Sequence, residues 1–120
     1  MSDVTNSAEA WLQKQNDPLP HLGTVSGNYA PFIISGDLLF VSGQGPRDEA
    51  GNRCCGTVGA NVTLEEAYQH ARRAGLRILA VARSALGSLD RVEHVSKIVG
   101  FVNAAPGFED HPRAIDGCSD

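Results

Sequence analysis

Aromatic side chains are scarce in this 120-residue chain: they make up 6% of it, with one Trp, two Tyr and four Phe. That excludes a core built on ring packing and leaves the work to Val, Ile, Leu and Ala, within an apolar share of 42%. A basic excess is also missing. Ten Lys and Arg stand against fourteen Asp and Glu, for a formal charge of −4. This argues against a general nucleic-acid binder, although a basic patch can sit on an acidic protein. The three cysteines, Cys54, Cys55 and Cys118, show neither a Cys-x-x-Cys nor a Cys/His ligand spacing. An odd count without a framework favours free thiols in a reducing compartment. His21, His70, His94 and His111 are scattered with no His-x-x-x-His pair, so no metal site is indicated. No apolar run approaches the length of a membrane span, and the N-terminus lacks a basic stretch followed by an apolar one. The expectation is a soluble, cytoplasmic protein without membrane association. Repeats and low-complexity segments are absent as well, and the length suits one domain with a modest core.

What is present centres on residues 28–46. Tyr29 to Ile34 reads as a strand with Phe32 and Ile34 on one face and Ile33 on the other. Ser35-Gly36-Asp37 supplies a turn, since glycine accepts positive φ and an aspartate can bond nearby backbone. Leu38 to Ser42 is apolar almost throughout, as in a strand covered on both faces or buried at an interface. Ser42-Gly43-Gln44-Gly45-Pro46 breaks the pattern, and polar groups at such a strand end are well placed to line a pocket.

In chain order, residues 1–6 are polar and expected to be disordered. Ser7 caps a short helix over Ala8–Gln15, with Trp11 and Leu12 on its apolar side and Asn16-Asp17-Pro18 ending it. Residues 21–27 form a connector or short edge strand. Residues 47–59 form a polar loop with a hairpin-like middle at Glu49-Ala50-Gly51-Asn52. Thr63 and Glu66 make a capping box for the main helix, in which Leu64, Ala67, Ala71, Ala74, Ile78 and Val81 recur at three- and four-residue spacing. Its alanines imply close approach to whatever it packs on, and Gly87 caps its end. Val92–Val102 reads as a third strand, apolar on both faces in its second half; Pro106-Gly107 ends it, and a second helix begins near Phe108.

Tyr29, Phe32, Ser35-Gly36 and the Leu39–Pro46 run Leu-Phe-Val-Ser-Gly-Gln-Gly-Pro resemble the signature of the RidA/YjgF family. The likeness extends to Gly56–Gly59, the helix from Leu64, the Leu86–Val92 segment and Gly100-Phe101-Val102-Asn103. It implies an α+β, chorismate-mutase-like (RidA-like) fold: a mixed sheet with helices packed on one face. It divides the chain into an N-terminal extension over 1–27 and a RidA-like domain over 28–120. The family continues through a C-terminal helix and two more strands. The first of these carries an Ala-Arg-Ser motif that binds the substrate carboxylate, the second a Val-Glu-Ile-Glu-like motif that positions water. Both lie beyond Asp120, so the chain reads as a C-terminally truncated member, or one completed by something else, expected to be inactive or poorly folded alone.

The activity implied is that of imine and enamine deaminases of the 2-iminobutanoate/2-iminopropanoate type, hydrolases that need no metal or organic cofactor and work as homotrimers with ligand sites between subunits. Two alternatives are a non-catalytic binder of small carboxylates and an endoribonuclease or translation-inhibitor-like protein acting on RNA. The catalytic residues are unknown within these 120. Candidate substrate-binding residues are Tyr29, through its hydroxyl; Gly43, through its backbone N–H; the Gln44 amide; Phe101, as an apolar wall; and Asn103 at the strand end. Four of them have a plainer reading: ring packing for Tyr29, a tight turn for Gly43 and Gln44, core packing for Phe101. Gly43-Gln44-Gly45 is not a dinucleotide loop, because Asp48 replaces the third glycine and Pro46 precludes the helix. Cys54 and Cys55 read as surface thiols. Arg72, Arg73, Arg77 and Arg83 would suit phosphate or RNA, but such a stripe is more often a solvated helix face.

Overall fold

The computed structural model describes residues 7–23 and 27–120. The polar stretch 1–6 and Thr24–Ser26 of the expected connector lie outside them. The element order is α1 (Ala8–Lys14), β1 (Phe32–Ser35), β2 (Leu38–Val41), α2 (Leu64–Leu86), a 3₁₀ turn (Leu89–Arg91) and α3 (His111–Ser119). The chain divides into two compact units, residues 1–42 with 78–96 and residues 43–77 with 97–120.

In the first unit, α1 begins where expected: Ser7 Oγ accepts the Ala10 N–H at 3.1 Å. The helix stops at Asn16, whose φ of +50° is a left-handed conformation that asparagine tolerates. Leu12 is buried, while Trp11 is half exposed, so the apolar side of α1 is narrower than the sequence suggests. Ala80, Val81 and Ala82 of α2 and Leu89 are the unit's other buried apolar residues.

The hairpin is also here, in the register Phe32–Val41, Ile33–Phe40, Ile34–Leu39 and Ser35–Leu38. Ser35 therefore pairs with Leu38, and the turn is Gly36-Asp37, with Gly36 at φ +58°. Tyr29 precedes the strand rather than opening it. Past the ladder, Ser42 N–H donates to Pro31 O at 3.0 Å and Ser42 Oγ to Ala30 O at 2.6 Å. Phe32, Leu39 and Val41 are half-buried, but Ile34 on the same face is exposed, as are Ile33, Leu38 and Phe40 on the opposite one.

In the second unit, Val58, Val62, Ala67 and Ala114 form a buried cluster with Leu64, Val102, Ala104 and Phe108 packed around it. The capping box is made in both directions, Glu66 N–H to Thr63 Oγ1 and Thr63 N–H to Glu66 Oε1, each at 3.1 Å. The loop before it folds as a small hairpin: Asp48 N–H donates to Asn52 O and Asp48 Oδ1 accepts the Asn52 N–H. The helix expected near Phe108 is present for nine residues, His111–Ser119, with Pro112 in its first turn.

One element departs from expectation. Val92–Val102 is not a strand among the described residues; it belongs to no ladder, and the sheet contains β1 and β2 only. The expected mixed sheet is thus an antiparallel hairpin, with parallel pairing limited to bridges of Val58 to Val62 and to Ala104. Alternating apolar residues confer the capacity to pair, but a strand also needs a neighbour offering N–H and C=O groups. The two-faced apolar pattern persists as exposure: Val95 is 66% and Val99 64% accessible.

Candidate functional site

The five sequence-derived binding residues fall in both units. Tyr29 is half exposed, just before β1 in the first unit. The remaining four belong to the second. Gly43 is exposed with open space where a Cβ would stand, so no close approach of other atoms requires glycine there. Gln44 is half-buried beside it. Phe101 is 93% accessible, which removes core packing within this chain as its explanation.

Asn103 has a defined role. Its Nδ2 donates to Gly56 O at 2.9 Å and to Thr57 Oγ1 at 3.2 Å, while its carbonyl accepts the Val58 N–H at 2.9 Å. Ala105 N–H closes the pairing onto Val58 O at 2.9 Å. The end of the extended segment is therefore stapled to the buried cluster, with the Asn103 Nδ2 and backbone carbonyl both engaged in the staple. Asn103→Ala is expected to cost about 1 kcal/mol, the net worth of a hydrogen bond at an accessible position. A urea midpoint unchanged from wild type would show that the staple contributes nothing.

The arginines separate by role. Arg83 is bonded to Glu9 through Nε–Oε1 at 2.9 Å and Nη2–Oε2 at 2.6 Å, so it is an anchor for α1 and not part of a solvated stripe. Arg77 is half-buried, and its Nε has no hydrogen-bond partner among the described residues. Burial first, and the Arg47 charge second, push the Arg77 guanidinium down. A cleft of about 420 Å³ in the first unit lies between Leu19–Leu22 and Ala80, Arg83 and Ser84 of α2. It contains none of the five candidates. Among the described residues no group of three or more His, Cys, Asp or Glu is placed to hold a metal ion. Burial pushes the Cys54 thiol up, against the Arg73 charge, and burial likewise raises Cys118, so neither is an activated thiolate.

Residues 9–120 match the model of a family described as YjgF/chorismate_mutase-like, putative endoribonuclease. The chain belongs to this family. It is 37% identical to Protein TCP17 of Trypanosoma cruzi, over 91% of its own length and 68% of that protein's. A crystal structure of a putative endoribonuclease from Shewanella oneidensis superposes with a TM-score of 0.89 at 34% identity, covering 95% of this chain and 76% of that one. A second, the protein Atu1372 of Agrobacterium tumefaciens with unknown function, gives 0.79 at 38% identity, covering 90% and 66%. The α+β, YjgF/chorismate-mutase-like fold follows from these similarities, with the Asn103 staple as a local fixture of its second unit. No helix among the described residues is long and apolar enough to cross a membrane.

Proposed function

We propose that this YjgF-family chain forms part of a small-molecule site of the imine/enamine deaminase type, completed by a further copy of the chain in a homotrimer. The observation that supports the reading is Phe101, 93% accessible on a backbone fixed two residues later by Asn103. A large aromatic ring held out from an anchored segment is costly to leave in water. Its use as an apolar wall against a ligand or another subunit accounts for that cost.

Imine hydrolysis adds water across C=N: oxygen bonds to carbon and a proton goes to nitrogen. The resulting carbinolamine then expels ammonia and leaves the carbonyl compound. The reaction needs a held substrate, a placed water and a proton donor to nitrogen. In this reading Phe101 excludes bulk water, the Gly43 backbone N–H and Gln44 amide hold polar atoms of the ligand, and the Tyr29 hydroxyl orients water or substrate.

The test uses the protein made from its native gene. 2-Iminobutanoate is generated in situ and its decay followed by semicarbazide trapping. Acceleration over the spontaneous rate is expected, with Phe101→Ser reducing it on the order of 10-fold or more through lost positioning and leaving the melting temperature unchanged. Absence of acceleration, or full activity in F101S, would refute the proposal. A second reading, action on RNA, draws on the name of the Shewanella structure and on the arginines of α2. It predicts RNA binding that weakens steeply with salt, and binding independent of salt would dismiss it.

A further inference from the structure

Within the first unit, the hold on α1 has the geometry of a carboxylate receptor. The Glu9 carboxylate takes two nitrogens of one guanidinium, Arg83 Nε to Oε1 at 2.9 Å and Nη2 to Oε2 at 2.6 Å, and Oε1 also accepts the Leu89 N–H at 3.1 Å. Arg83 stands in the last turn of α2, beside the buried Val81 and Ala82. Leu89 opens the 3₁₀ turn, which Ser88 caps by accepting the Asp90 N–H on its Oγ at 3.1 Å. All three donors therefore belong to α2 and the 3₁₀ turn, and what α1 brings to them is the acid. Both partners of the ion pair are reachable from solvent, with 40% of the Arg83 side chain and 28% of the Glu9 side chain accessible.

Arg83 also lines the cleft of about 420 Å³. Leu19, Pro20, Leu22 and Ala80 give that cleft apolar walls, and His21 and Ser84 add polar groups to it. An apolar recess with a few polar groups is the common form of a small-molecule site. A guanidinium fork backed by a backbone N–H is a strong and geometrically selective partner for a carboxylate. Here the two adjoin at one side chain. An ion pair that merely tethered α1 would need neither the third donor nor a recess beside the arginine.

We propose that the Arg83 guanidinium, the Leu89 N–H and the adjoining cleft bind a small carboxylic acid with an apolar body. The ligand's carboxylate takes the place that Glu9 occupies, and its body lies against Leu19, Pro20, Leu22 and Ala80. Glu9 is then an internal competitor, which keeps the receptor filled until a ligand displaces it. Exchange of one carboxylate for another leaves the guanidinium paired throughout. None of the five candidates above lines the cleft, so this site and the imine reading stand or fall independently.

The experiment titrates the protein made from its native gene with sodium hexanoate at constant ionic strength, following the Leu89 amide by NMR. A saturable shift is expected. Acetate, which lacks the apolar body, and hexanamide, which lacks the charge, should each bind about tenfold or more weakly. Glu9→Gln keeps the length of the side chain but removes the competing charge, and should tighten hexanoate about fivefold or more, because apparent affinity rises with the fraction of sites standing open. Ser84→Phe fills the cleft from an exposed position and should weaken hexanoate about tenfold with the melting temperature unchanged. Arg83→Gln should remove binding; if that variant fails to fold, E9Q and S84F decide. No saturable binding in either wild type or E9Q, hexanoate no tighter in E9Q than in wild type, acetate or hexanamide equal to hexanoate, or undiminished binding in S84F would each overturn the proposal.

Discussion

Replacing Gly117 by alanine is expected to destabilise the protein by about 3 kcal/mol, at the upper end of the cost of overpacking a tight contact. The sign is the informative part. Glycine in a helix interior is ordinarily the poorer residue, and alanine there gains about 1 kcal/mol. Gly117 lies inside α3, yet a Cβ at this position would overlap the Tyr68 carbonyl oxygen, and it would stand 2.7 Å from Tyr68 C and 3.1 Å from Tyr68 Cα. These are backbone atoms of α2 and cannot rotate away, so the two helices must separate. Ala114, three residues earlier on the same face of α3 and 2% accessible, belongs to the Val58–Val62–Ala67 cluster, so separation opens that cluster. Gly75→Ala is the companion measurement. Its Cβ would meet the Cys118 Sγ at 3.1 Å and Cys118 Cα at 3.4 Å, a squeeze that small shifts relieve. The gain in propensity offsets it, and the net change is expected to be about 0.5 kcal/mol or less. Urea midpoints followed by far-ultraviolet circular dichroism distinguish the two. If G117A proves as stable as wild type, α3 does not sit on α2 in this way.

What made α2 legible and the Gly117 contact illegible is the range of the interactions concerned. The Thr63–Glu66 box, the Gly87 terminus at φ +84° and the Asp48–Asn52 hairpin are settled by residues within a few positions of one another, and each forms as its pattern implies. Gly117 is small because of Tyr68, far away in the chain, and nothing around Gly117 announces it. Arg83 likewise looks like one more charge on a helix face until Glu9, 74 residues earlier, takes its Nε and Nη2. The Val92–Val102 segment failed for a different reason. Its composition describes a strand correctly, but pairing belongs to two segments, and the sequence of one states only what it is able to do. Of the candidate site, Phe101 was visible as an apolar residue at the end of that segment. Its exposure, which argues against packing in a core, was not visible, because burial is decided by neighbours. Asn103 was read as a candidate ligand group at the strand end; the bonds of its Nδ2 to Gly56 and Thr57 are ones that no spacing rule encodes.

Glu9→Ala is expected to release α1, with a loss of about 1.5–2 kcal/mol at neutral pH, below the full value of charge-assisted bonds because both side chains are partly in solvent. Accessibilities of 40% for Arg83 and 28% for Glu9 set that discount. A seven-residue helix has little stability of its own, so its place depends on what holds it. Besides buried Leu12, α1 is held by the Glu9 carboxylate, which accepts from Arg83 twice and from the Leu89 N–H at 3.1 Å, and by Asp90 Oδ1, which accepts the Glu9 N–H at 2.9 Å. Alanine strands the guanidinium and the Leu89 N–H together. The Arg83 bond, with the Leu89 N–H behind it and burial opposing, holds the Glu9 carboxyl below its ordinary value of 4.5. A carboxylate whose folded pKa is depressed contributes its stability fully above the unfolded value, and the contribution is lost as pH falls through the folded one. The wild type should therefore lose its advantage over E9A in the interval below 4.5. Glu66 is lowered too, by its bonds to Thr63, so acid sensitivity survives in both proteins and the difference between them is the quantity to follow. Trp11, the chain's one tryptophan, lies on α1 beside Leu12, and its fluorescence reports the detachment directly. A gap between E9A and wild type that is the same at pH 3 as at pH 7 would mean that Glu9 acts by packing its methylenes and not by its charge. A gap that closes in acid, and narrows in molar salt, assigns the anchoring of α1 to one partly screened ion pair.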